Sequence, residues 1–139
     1  MRQDTSNDGL AKTYATVIGI VLVAVGLLGF VSNPIVSSRP DALFTVNAVH
    51  NIVHIASGAL ALYIAFGLDG EARANGLIAF GVLYAVVFVL VVLSPQLFGL
   101  FGDAPANTAD HVLHAALAVA SLAVGYVARN NAPRTVTTG

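Results

Sequence analysis

The stretch Asn47-Ala48-Val49-His50-Asn51-Ile52-Val53-His54 opens an otherwise apolar run that continues to Phe66. At about 100° per residue, Asn47, His50, Asn51 and His54 stand at i, i+3, i+4 and i+7, which is one face of an α-helix. The same face continues as Gly58, Ala61 and Ala65. A helix that is apolar all round, except for a polar patch running into small residues, has one side made for close contact.

Composition says what surrounds such a helix. Of the 139 residues, 57% are hydrophobic and 9% charged, and the mean hydropathy is +0.83, outside the range of soluble domains. Residues 14–31, 46–68, 75–93 and 112–128 contain no Asp, Glu, Lys or Arg. Each stretch is close to the roughly 20 residues that cross a hydrocarbon core of about 30 Å. The expectation is an all-α bundle of four transmembrane helices in one domain covering 1–139, lying in a lipid bilayer. The helices are predicted over about 14–32, 41–68, 74–94 and 107–129, with polar tails at 1–11 and 130–139. Asn33-Pro34 and Ser94-Pro95 end the first and third, because proline cannot continue a helix. Pro40-Asp41 reads as the start of the second, with proline in the first turn and an acid at the positive end.

Arg2, Lys12, Arg73, Arg129 and Arg134 fall on one side of these spans and Arg39 on the other. The positive-inside rule therefore predicts cytoplasmic N and C termini in a prokaryotic inner membrane, with all four histidines towards the outer face. The first apolar run lacks an Ala-x-Ala cleavage site and is read as a retained span. The absence of cysteine removes disulfide and thiolate chemistry, and no basic patch suggests nucleic acid.

Sliding the chain by 60 positions aligns Asn47 with Asn107, His50 with Asp110, Asn51 with His111 and His54 with His114. Gly58, Ala61 and Ala65 then meet Ala118, Ser121 and Gly125. This predicts two parallel two-helix repeats, with helices 2 and 4 facing each other and their small residues letting the two backbones approach.

Facing helices would gather His50, His54, Asp110, His111 and His114 as ligands for zinc, copper or iron. Asn47, Asn51 and Asn107 would orient the imidazoles. A sharper variant is a b-type haem between His54 and His114. The rival reading needs no cofactor: buried polar groups often join membrane helices by hydrogen bonds, which would suit a non-catalytic subunit of a membrane complex or a homo-oligomer. No nucleophile and base pair is evident, so no catalytic residue is assigned and the reading leans away from an enzyme.

The run from Val46 to His54, followed by Gly58 and by Asp110-His111-Val112-Leu113-His114, resembles a family of small prokaryotic four-helix membrane proteins, the DUF4383-like domain of unknown function. The resemblance covers almost the whole chain. It implies the four-helix topology and brings no activity.

Overall fold

The computed structural model describes residues 2–131. The chain is a four-transmembrane-helix bundle: α1 (Arg2–Leu28), α2 (Ala48–Gly67), α3 (Gly70–Leu93) and α4 (Thr108–Asn130). All four are long and apolar enough to cross a membrane, α1 through Asn7–Leu28. Side chains such as Val17, Ile20, Val82, Val86 and Val119 are exposed on the outside of the bundle, where acyl chains would cover them. Helices satisfy their own backbone groups, as a spanning segment must.

Glycines decide which helices touch. A Cβ on Gly58 of α2 would come 2.8 Å from the carbonyl oxygen of Gly19 and from the backbone nitrogen of Val23, both on α1. On α4, a Cβ on Gly125 would come 2.9 Å from the nitrogen of Ile78 and 3.0 Å from the carbonyl oxygen of Ala74, both on α3. The small-residue tracks therefore weld α1 to α2 and α3 to α4. This corrects the expectation that they draw α2 and α4 together: no Cα of α2 lies within 8 Å of one on α4. The two helices stand across a diagonal, and side chains fill the space between them.

Four boundaries also differ from expectation. The first helix stops at Leu28 rather than about 32, short of Asn33-Pro34, and the chain turns through Gly29 to Val31. The second helix starts at Ala48 rather than near residue 41, because the preceding segment spends its backbone bonds elsewhere. Strand β1 (Val36–Ser37) pairs in parallel with β2 (Phe44–Thr45), and Asp41 is taken by Arg39 in an exposed ion pair at 2.6 Å. Asn33 ties this loop to the end of α1: its side-chain nitrogen donates to Leu28, Val31 and Val36, and its oxygen accepts from the nitrogens of Ile35 and Val36.

The third helix begins at Gly70, where φ is +47°, a conformation glycine adopts without a Cβ penalty. The N-terminal segment is helical rather than a loose tail, with Ala11 and Ala15 fully buried. Its Asp8 pairs with buried Arg73 at the start of α3. Arg73 also donates from Nε to the carbonyl of Ile64 at 3.3 Å and from Nη2 to that of Ala65 at 3.1 Å. A further bond runs from Nη2 to Leu68. One guanidinium thereby satisfies two of the four carbonyls left open at the end of α2 and that of Leu68 just beyond it. Asn130 closes α4; the rest of the expected C-terminal tail, from 132, lies outside the described residues.

Candidate metal centre

α2 and α4 open with the same device. Asn47 and Asn107 hold extended N-cap conformations, and their side-chain oxygens accept the backbone N–H of His50 and of Asp110 respectively. Asp110 returns the bond: its Oδ2 accepts from the nitrogen of Asn107 at 2.9 Å, completing a capping box. The side-chain nitrogen of Asn47 donates to the Leu100 carbonyl, and that of Asn107 to the Leu43 carbonyl, each at 2.9 Å. Each cap thus clasps the loop that belongs to the other helix pair.

Seven residues beyond each cap stand His54 and His114. At 1.5 Å rise per residue both lie about 10 Å below their caps, and they meet at the same depth across the diagonal. Ring centroids are 4.5 Å apart for His50 and His54, 5.9 Å for His50 and His114, and 6.4 Å for His54 and His114. One ligand-capable atom from each of these three residues falls within 4.8 Å of the other two. All three are at most 2% exposed. Two aromatic side chains wall the cluster. Phe101, from the α3–α4 loop, stacks on His50 at 4.4 Å and 7°. Tyr84 of α3 lies 5.9 Å from His114, and its hydroxyl meets Ser57 at 2.6 Å.

No hydrogen-bond partner reaches either ring nitrogen of His50 or of His54, or Nδ1 of His114. Buried polar atoms are paired in the great majority of cases, and an unpaired one costs on the order of 1–3 kcal/mol. Direct side-chain bonds between helices do exist, but elsewhere: Tyr14 with Ser121 at 2.8 Å, and Ser57 with Tyr84.

The five expected ligands divide. His50, His54 and His114 come together; Asp110 and His111 stand outside the group. Asp110 is drawn into the cap, although its Oδ1 is buried without a partner. His111 precedes His114 by three residues, which turns it about 60° off the inward face, and it is only half-buried. The three asparagines expected to orient the imidazoles make their side-chain bonds or packing contacts elsewhere. Asn47 and Asn107 are helix caps, and Asn51 lies against Gly29 at the end of α1, so close that a Cβ there would come 1.9 Å from its Oδ1. Phe101 and Tyr84 escaped the sequence reading. Phe101 sits in a loop with no periodicity, and Tyr84 lies in a helix apolar on every side.

The fold and this centre define a class: a small four-helix protein of membrane-spanning helices with a buried triad of imidazoles within two turns of the N-terminal ends of α2 and α4. More particularly, the chain belongs to the family described as Domain of unknown function (DUF4383), whose sequence model matches residues 12–127. Comparison with curated proteins and with solved structures gives no match.

Proposed function

We propose that this protein binds one transition-metal ion, zinc, copper or iron, through His50, His54 and His114 inside the membrane. The observation that carries the reading is the set of buried imidazole nitrogens with no hydrogen-bond partner, gathered from two helices onto one point. Zinc–imidazole bonds of 2.0–2.1 Å put ligand nitrogens about 3.3 Å apart in a tetrahedral site. The ligand atoms lie within 4.8 Å of one another, at most about 1.5 Å wider than that spacing.

Two rival readings fare less well. A haem between His54 and His114 needs a flat macrocycle there, and the three centroid separations put the His50 ring inside that disc. If the imidazoles were helix glue they would be hydrogen-bonded across the bundle, whereas among the described residues other side chains make those bonds.

Consistent with the distribution of basic residues, the metal end faces outward and both termini face the cytoplasm. Arg39, the one Lys or Arg at the metal end among the described residues, is matched there by Asp41.

Elemental analysis and an absorption spectrum of the purified protein test the reading together. One metal per chain, no Soret band, and loss of the metal in a His54→Ala/His114→Ala double mutant are expected. Metal-free protein after reconstitution with zinc, copper and iron would overturn the reading, and a Soret band lost in the same mutant would replace it with haem.

A further inference from the structure

The character of the triad narrows the ion, given that the triad binds metal at all. Its three donors are neutral imidazole nitrogens; among the described residues no carboxylate or thiolate joins them. The cost of taking an ion out of water rises with the square of its charge. A divalent ion therefore needs anionic donors or an exogenous anion here far more than a monovalent one does.

The one buried acid at this level is Asp110, which is 0% exposed. It lies one turn outward of His114 on the same helix, where Cβ atoms are about 5–6 Å apart. Its negative charge is favoured by the N-terminal end of α4, and its free Oδ1 is buried without a partner. A single negative charge outside the coordination sphere balances one positive charge.

Coordination number points the same way. A catalytic-type zinc centre with three protein ligands completes its shell with water or an anion. Here Phe101 and Tyr84, each 2% exposed, stand against the rings from the loop side and from α3. Two cavities at this end have other linings: one of about 740 Å³ bordered by Leu43, Thr108 and Val112, and one of about 330 Å³ bordered by Ser38, Asp103 and Pro105. A three-coordinate ion fits the triad, and imidazole is a donor that copper accepts.

We propose that the ion is monovalent copper, held by His50, His54 and His114 and charge-balanced by Asp110. This rests on the metal-binding reading above and names its ligand. The test is an anaerobic titration of the metal-free full chain in detergent with Cu(I), competed by a chromophoric Cu(I) chelator, alongside a Zn(II) titration. The expected result is one Cu(I) per chain, retained against equimolar Zn(II). Asp110→Asn, which keeps the size and the capping oxygen, should weaken Cu(I) at least tenfold, as expected for loss of one nearby charge at low dielectric, with the stoichiometry unchanged. Zn(II) bound by the triad while Cu(I) is released to the chelator would overturn the copper assignment and leave the metal centre standing. Equal Cu(I) affinity in a folded Asp110→Asn protein would overturn the charge balance on which the assignment depends. Binding of neither ion by folded wild-type protein would overturn the metal centre itself.

Discussion

Two buried polar sites lie at opposite ends of the bundle, and they are built on opposite plans. At one end, the Arg73 guanidinium bonds three carbonyls at the close of α2 and pairs with Asp8 of α1. Towards the other, where α2 and α4 begin, His50, His54 and His114 are equally buried, yet five of their six ring nitrogens are buried without a partner. Polarity that holds helices together is saturated by the protein itself, as low-dielectric burial requires. Polarity left unsaturated at one point calls for something else to satisfy it. The contrast motivates the proposal that the imidazole triad is a binding group.

Substitution at the saturated end should have the largest effect. Arg73→Leu strips the end of α2 of its donors and leaves Asp8 uncompensated; a loss of about 3 kcal/mol is expected, discounted for the partial exposure of Asp8. Chemical unfolding in detergent micelles measures it, and an unchanged midpoint would remove the structural half of the contrast. At the other end, His54→Ala/His114→Ala should behave differently: its metal-free stability should fall less than that of the Arg73 variant. What it should lose is the stabilisation by added metal, about 2.7 kcal/mol for wild type at a hundredfold excess over Kd. A metal-dependent shift of equal size in the mutant would show that the imidazoles are not the site.

The helix pairing that creates the diagonal can be broken as well. Gly58→Ala and Gly125→Ala each press a methyl group into the backbone of the neighbouring helix, and each should cost about 1–3 kcal/mol. If either is neutral, the close pairs are looser than the distances imply. The smallest expected effect is at the caps: Asn47→Ala and Asn107→Ala should each cost about 1 kcal/mol and leave metal stoichiometry intact. Loss of metal in the cap variants, with stability preserved, would return the asparagines to the orienting role first expected of them.

These comparisons show which features were legible in the sequence. Four charge-free stretches specify the helices, because a helix of that length satisfies its own backbone in lipid; Asn33-Pro34 overstates the end of the first by about a turn, since α1 stops at Leu28. The facing of His50 and His54 is equally legible, being fixed by helical period, and their approach to His114 follows from matched depth. Polar residues at a helix start are ambiguous, because a cap and a ligand use the same side chains; Asn47 and Asn107 resolve as caps, and Asp110 as a capping acid. Asp41 misled for a related reason, since an acid after proline opens a helix only when no neighbour such as Arg39 takes it. Small residues show that some helix comes close without saying which one. Gly58 and Gly125 meet α1 and α3, and that choice leaves α2 and α4 far enough apart to hold imidazoles between them.

X-ray absorption at the edge of the bound metal tests the central claim most directly. Three nitrogen donors at about 2.0 Å with the outer-shell scattering of imidazole are expected, abolished in His54→Ala/His114→Ala. An oxygen-only shell, or a spectrum unchanged in the double mutant, would contradict it.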